Sequence, residues 1–105
     1  MNEQLPKEDI LGILRILTSE EDCSQRDISS RLGFSLGKTN YLLKSLAQKG
    51  WIKVRNFAQA GGKGRKLRYI LTKKGLDERL KLTYHFLKRK EKEYLELKRE
   101  VNNSG

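Results

Sequence analysis

The sequence is short of several residue types, and each shortage excludes a class of protein. Its 105 residues include one cysteine, which excludes a disulfide framework and fits a reducing compartment. No run of apolar residues approaches the roughly 20 that a membrane span needs. The opening residues, MNEQLPKEDILGIL, carry acids where a secretory signal carries basic residues. We therefore expect one cytoplasmic domain with no membrane partner.

Side chains that perform catalysis or hold metals are also scarce. His85 is the only histidine, and without partner ligands or an adjacent nucleophile it predicts neither a zinc site nor a catalytic pair. The GGKG segment at 61–64 lacks the spacing of a phosphate-binding loop. Cys23 precedes a predicted helix start, where a thiol pKa can fall, so a redox role stays open beside the simpler structural one. We expect no enzymatic activity, no metal and no cofactor.

Acidic residues are missing from one long segment. Residues 28–76 hold 12 basic side chains and no acidic one, whereas residues 1–27 hold 3 basic and 7 acidic, and residues 77–105 hold 8 and 6. The formal net charge of +10 therefore comes mainly from the middle of the chain. A surface of one sign serves the steering and binding of an oppositely charged partner. Nucleic acid is the first candidate for that partner.

Two short helices are predicted near the start of the chain. Apolar residues recur at the spacing of an amphipathic helix over residues 7–19. After a polar connection, Ser24 and Asp27 form a variant capping box at the start of a second helix over 25–32. Gly33 follows the last apolar position of that helix and is typical of its end.

A third helix is predicted over residues 36–49. Ser35 is suited to cap its start, and Gly50 ends it. The spacing predicts that one side of this helix faces the core and that the opposite side is polar. The predicted inward residues are Thr39, Leu42, Leu43 and Leu46.

A β-hairpin is predicted after the third helix. Residues 51–55 alternate, with Ile52 and Val54 on one face, and residues 67–71 alternate in the same way. The connection over 56–66 contains three glycines and three basic residues, and it is long for a tight turn.

The last helix is predicted to be very long, from residue 73 to about 101, with a frayed tail over 102–105. A broken heptad pattern runs along it and predicts self-association as a coiled coil, although Lys90 lies in the seam and weakens it or sets its register. The predicted dimerisation residues are Leu80, Leu87, Tyr94, Leu97 and Val101.

Together these elements predict a fold that is mainly α with a small β-hairpin: a winged helix-turn-helix domain over 1–72, followed by the long helix. The major groove of DNA admits one α-helix, so helix 36–49 is the predicted recognition helix, and the basic wing over 56–66 is predicted to contact the minor groove. Gly37 disfavours a helix by about 1 kcal/mol relative to alanine, which is understandable if another backbone approaches it. The predicted DNA-binding residues are Arg31, Ser35, Gly37, Lys38, Asn40, Tyr41, Lys44, Lys63, Arg65, Lys66 and Arg68.

The sequence SQRDISSRLGFSLGKTNYLLKSLAQKGWIKV, followed by RYILTKKG, resembles the MarR-type winged helix-turn-helix transcription regulators. The SLGKTNYLLKSL stretch with the long basic helix is similar to a small subgroup that is associated with bacterial exopolysaccharide gene clusters. The resemblance covers residues 8–101 and implies a homodimer that binds double-stranded DNA. Typical MarR proteins are longer, with extra helices that build the dimer and a ligand crevice, so a small-molecule effector is doubtful here.

Two other functions remain open from the sequence alone. A winged-helix adaptor would use the basic face to dock an acidic protein and the long helix to bind a partner helix. RNA binding is less favoured, because aromatic residues that stack on bases are sparse in the basic segment.

Overall fold

The computed structural model describes residues 5–19, 23–58 and 65–104, with side chains for all of these except 56–58, 65 and 66. The elements follow the predicted order of three helices, a hairpin and a long helix. They are α1 (Lys7–Ser19), α2 (Gln25–Leu32), α3 (Leu36–Gln48), β1 (Ile52–Ala58), β2 (Arg65–Leu71) and α4 (Lys73–Asn103). The predicted fold, mainly α with a small hairpin, is confirmed.

One hydrophobic core joins the first three helices to the base of the hairpin. The four residues that the sequence predicted to face inward from α3 are all buried. The apolar stripe of α1 packs against them, and Phe34 lies partly buried beside the turn between α2 and α3. The side chains at the centre of this core are Ile10, Ile13, Leu14, Leu17, Cys23, Ile28, Leu42, Leu43, Leu46, Ile52 and Tyr69.

Caps fix the two ends of α2 where the sequence placed them. The Ser24 side chain accepts a hydrogen bond from the backbone N–H of Asp27, and the Asp27 carboxylate accepts one from the backbone N–H of Ser24. Gly33 ends the helix in the left-handed region at φ 70°, which favours glycine. The turn into α3 is therefore set by local chemistry.

The hairpin pairs β1 with β2 in antiparallel register, with Ile52 opposite Leu71 and Ala58 opposite Arg65. Ile52 and Val54 share a face, as the alternation predicts, but Ile52 is buried whereas Val54 is exposed. The reason is that the core ends near Ile52 and Tyr69, so the rest of the hairpin projects beyond it. At its base, Cys23 forms an isolated antiparallel bridge to Tyr69.

The start of α4 is packed tightly against the segment that follows α3. Thr72 caps α4, and its hydroxyl donates to the carbonyl of Gly50 at 2.7 Å. The Thr72 N–H donates to the carbonyl of Trp51 at 3.0 Å. Gly75 is buried beneath that same carbonyl, and a Cβ at this position would overlap the Trp51 oxygen. Glycine is required here for close approach.

Beyond its first turns α4 leaves the domain. Its 31 residues end at Asn103 rather than near Val101, so residues 102 and 103, which were predicted to fray, are helical. The molecule consequently measures 69 × 27 × 25 Å. Every described residue from Leu87 onward is exposed. Among the described residues, α4 and the shorter helices are all too polar or too short to cross a bilayer.

Candidate nucleic-acid interface

The polar side of α3 faces solvent because α2 holds its other side. The hydroxyl of Ser29 in α2 donates to the Thr39 hydroxyl of α3 at 2.8 Å, and both side chains are buried. The Thr39 hydroxyl in turn donates to the Ser35 carbonyl at 2.9 Å. These bonds satisfy polar groups that would otherwise be costly inside the core. They fix the rotation of α3 relative to α2.

The start of α3 is exposed and electrically suited to an anion. The Ser35 side chain accepts from the backbone N–H of Lys38 at 3.1 Å, and the Gln25 side chain donates to the carbonyl of Leu36 at 3.0 Å. A helix N-terminus carries a partial positive charge, which favours phosphate. The described part of the first turn of α3 has no acidic residue to oppose that charge.

Most predicted contact residues of the helix pair lie on this exposed surface. Asn40 is half-buried, and the others are exposed. Gly37 is surrounded by open space, because a Cβ built there would meet no atom within 4 Å. The fold itself therefore gives no steric reason for glycine at this position. The exposed residues are Arg31, Ser35, Gly37, Lys38, Tyr41 and Lys44.

Acidic residues from outside the acid-free segment come close to its predicted contact residues. The Lys38 ammonium lies 2.9 Å from Oδ2 of Asp9 in α1 and 4.1 Å from the centre of the Phe34 ring. The segment 28–76 thus contains no acidic residue, but acidic side chains from other parts of the chain lie beside it. Sequence spacing carried no signal for this pair, since it depends on how α1 packs against α3.

A second acid, Asp27, reaches the hairpin. Its Oδ2 atom lies 3.4 Å from Nη1 of Arg68. The hydrogen bonds from the backbone and side chain of Ser24 lower the pKa of Asp27, and the nearby Arg68 and Arg31 guanidinium groups lower it further. The carboxylate therefore stays ionised and connects the start of α2 to β2.

The tip of the predicted wing lies mostly outside the described residues. Lys63 is outside them altogether, while Arg65 and Lys66 are described only as backbone positions at the start of β2. Arg68 is the one predicted wing cation whose side chain is described. The predicted minor-groove contact of the tip stays a prediction.

Two exposed apolar side chains near this surface were missed by the sequence analysis. Leu36, in the first turn of α3, and Leu67, on β2, border a shallow depression of about 540 Å³ together with Gln25 and Asp27. Leu36 is half exposed although it lies next to the buried side of α3. Its position directly before Gly37 was the available signal, because residues at the start of a recognition helix reach bases.

The predicted dimerisation residues on α4 are all available. Their side chains are between 56 and 72% exposed, although each is apolar or aromatic. An apolar stripe of this kind on one helix is unusual on a monomer. It comprises Leu80, Leu87, Tyr94, Leu97 and Val101.

Two further features concern ligands. In residues 5–19, 23–58 and 65–104 no three His, Cys, Asp or Glu side chains come together as a metal site would require. A depression of about 480 Å³ lies between α1, the start of β1 and α4, and is lined by Ile10, Trp51, Leu82 and His85, among others.

The side chain of Cys23 is buried, which favours its structural role.

Comparison with known proteins agrees with this geometry. A family model described as winged helix-turn-helix DNA-binding matches residues 10–53. PadR from Bacillus subtilis, solved in complex with operator DNA, is 30% identical, with 69% of this chain and 44% of that chain covered and a TM-score of 0.61. A PadR family transcription regulator from Clostridium difficile R20291 is also 30% identical, with 86% and 99% covered and a TM-score of 0.65.

ZitR from Lactococcus lactis, a zinc-responsive MarR family member, is 25% identical, with 92% of this chain and 63% of that chain covered and a TM-score of 0.63. A search of curated proteins by sequence finds no match. This chain spans less than half of the Bacillus subtilis PadR but nearly all of the Clostridium difficile regulator. With its helix pair, hairpin and long final helix, the chain belongs to the PadR family of winged helix-turn-helix transcription regulators, and its fold is similar to that of the MarR family member ZitR.

Proposed function

We propose that this protein is a sequence-specific transcription regulator that binds double-stranded DNA as a homodimer in the cytoplasm. The observation that carries the proposal is the placement of α3: one side is locked into the core by α2, and its polar, basic N-terminal end is open to solvent. A major groove about 12 Å wide accepts a helix presented in this way. The operator complex of the Bacillus subtilis PadR, a relative at 30% identity, supports the same use of this domain.

The proposed contacts divide by chemistry. Asn40 pairs with an adenine edge, and Lys38 reaches a guanine edge or a phosphate. Ser35, at the helix start, and Arg31 hold flanking phosphates. The wing, residues 56–66, enters the minor groove next to the major groove that α3 occupies. The full proposed set is Arg31, Ser35, Gly37, Lys38, Asn40, Tyr41, Lys44, Lys63, Arg65, Lys66 and Arg68.

The proposed dimer forms through α4. In water, an exposed apolar stripe on a helix that extends beyond its domain is stabilised by burial against a second helix. Two recognition helices held in this way would enter successive major grooves about 34–36 Å apart on a pseudo-palindrome. The proposal places Leu87 and Leu97 in the helix–helix seam and leaves Glu96 outside it.

A narrower assignment rests on the sequence resemblance. We propose membership of the small MarR-type subgroup associated with exopolysaccharide gene clusters, on the strength of SLGKTNYLLKSL and the long basic helix.

The direct test is selection of bound duplexes from a random pool, followed by affinity measurements across salt. Because phosphate contacts release counterions, affinity should fall at least tenfold between about 50 and 200 mM salt. Asn40→Ala should relax the selected sequence preference, whereas Lys63→Ala with Arg65→Ala should weaken binding to all sequences alike. Gln48→Ala, at the far end of α3, is the matched control. Binding that does not change with salt would contradict the proposal.

The oligomer is tested by light scattering. Leu97→Lys should convert a dimer to a monomer, and Glu96→Lys, which introduces the same side chain one position away, should not. A wild-type protein that is monomeric at micromolar concentration would refute the proposed dimer. An adaptor that docks an acidic protein is not favoured by the relatives, and it predicts no shift of random duplex DNA at micromolar protein.

A further inference from the structure

The recognition helix carries a cation that is already held by an acid from another helix. Asp9, in the first turn of α1, places its Oδ2 atom 2.9 Å from the ammonium of Lys38. The Phe34 ring lies on another side of the same ammonium, with its centre 4.1 Å away. Lys38 therefore has a fixed position at the exposed end of α3 before any DNA arrives.

This arrangement changes what Lys38 can offer to DNA. A free lysine is a mobile point charge that finds the nearest phosphate in any sequence. An ammonium has three donors, and one of them is directed to Asp9. The carboxylate and the ring hold the remaining donors in one place. Donors with a fixed position suit a hydrogen bond to a base edge more than a contact with whichever phosphate is nearest.

The carboxylate also acts on the phosphates directly. Its side chain is 26% exposed and that of Lys38 is 43% exposed, so the pair lies at the surface that α3 presents. A phosphate that approaches Lys38 meets both charges, and the attraction that every sequence would share is reduced.

We propose that Asp9 is a positioning residue that gives the DNA-binding surface part of its sequence discrimination, by holding Lys38 and cancelling its attraction for phosphate. The proposal rests on the DNA-binding function proposed above. It assigns a role in DNA selection to a residue of α1, outside the helix pair that reads DNA.

The test compares Asp9→Asn with Glu8→Gln, using the duplex selected from the random pool and a random-sequence duplex as probes. Both substitutions remove one negative charge from the first turn of α1. Glu8 borders a separate groove between α1 and α4, and within the described residues it forms no ion pair. Long-range charge effects are therefore matched, and only Asp9→Asn releases Lys38.

The Asp9→Asn variant should bind the random duplex more tightly than the wild type does. Because the released Lys38 neutralises one more phosphate, the slope of log affinity against log salt concentration should be about 0.9 steeper. Its advantage over the wild type should then shrink by about 3.5-fold between about 50 and 200 mM salt. The preference for the selected duplex over the random one should fall. Glu8→Gln should leave the slope and the preference unchanged.

The same two substitutions made in a Lys38→Met protein separate the positioning of Lys38 by Asp9 from any effect on folding. In Lys38→Met, Asp9→Asn should have no larger effect on random-duplex binding than Glu8→Gln has, and thermal melting should report that every variant is folded. Equal effects of Asp9→Asn and Glu8→Gln in the parent protein, or an Asp9→Asn effect that persists with Met at position 38, would overturn the role of Asp9. Failure of the wild type to bind either duplex would instead overturn the proposed DNA-binding function.

Discussion

Replacing Gly37 by alanine should stabilise the fold and weaken DNA binding, and the opposite signs make the substitution informative. A Cβ at position 37 meets no atom within 4 Å, and this glycine is not among those with positive φ. The fold therefore incurs no steric cost. Alanine is favoured over glycine in a helix by about 0.5–1 kcal/mol, and the lower end applies because Gly37 is in the first turn. We expect a rise in melting temperature of about 2–4 °C.

The same methyl group should interfere with DNA. In the proposed complex a DNA backbone lies against the start of α3, where hydrogen bonds to phosphate are near 2.9 Å and are lost beyond about 3.5 Å. A methyl group pushes the backbone away by more than this margin. We expect affinity for the selected duplex to fall at least tenfold, which corresponds to about 1.4 kcal/mol.

Circular dichroism melting and fluorescence anisotropy at one fixed salt concentration measure the two effects on the same sample. Gln48→Ala, at the other end of α3, should leave affinity within about twofold because it lies about 16 Å along the helix axis. A Gly37→Ala variant that is stabilised but binds with unchanged affinity would refute the inference that a partner's backbone occupies the open space at Gly37.

Three other substitutions test how the interface is held. Gly75→Ala should destabilise the protein by about 1–3 kcal/mol, the reverse of Gly37→Ala, because its Cβ would overlap the Trp51 carbonyl; a neutral effect in a melt would contradict the packing. Thr39→Val should cost about 1–3 kcal/mol in denaturant unfolding, because it leaves the buried Ser29 hydroxyl without its acceptor, and it should lower DNA affinity as α3 loses its fixed rotation. The folded pKa of Asp27 lies below its unfolded value near 3.8, so its stabilisation is present above about pH 4 and is lost as pH falls through the folded pKa. Asp27→Asn should therefore melt lower than the wild type at pH 7, with the gap closing in acid; a gap that is constant with pH would exclude the ionised carboxylate as its cause.

Local chemistry made the fold predictable from the sequence. The apolar spacing of α1, the Ser24 and Asp27 capping box and the left-handed Gly33 each depend on residues a few positions apart, and the structure contains all three. The inward set of α3 followed from periodicity in the same way. The coarse shape of the site, a helix pair beside a hairpin, followed from the order of these elements.

The details of the site depend on packing, which local patterns do not encode. The Asp9–Lys38 contact joins residues 29 positions apart, and the Asp27–Arg68 contact joins residues 41 apart. The exposure of Val54 depends on where the core stops along the hairpin, not on the alternation that both strands share. The helical residues 102 and 103 extend α4 beyond its last apolar position, Val101, where the apolar periodicity has already ended.

The hydrogen bonds from Thr72 to Gly50 and Trp51 couple the start of α4 to the end of the recognition helix. Its start is bonded to the residues that immediately follow the recognition helix, and its exposed part, from Leu87 to Asn103, extends about 25 Å at 1.5 Å per residue. A rotation of this exposed part by about 5° moves its far end by about 2 Å. In the proposed dimer, a change in the angle between the two long helices would therefore tilt the recognition helices.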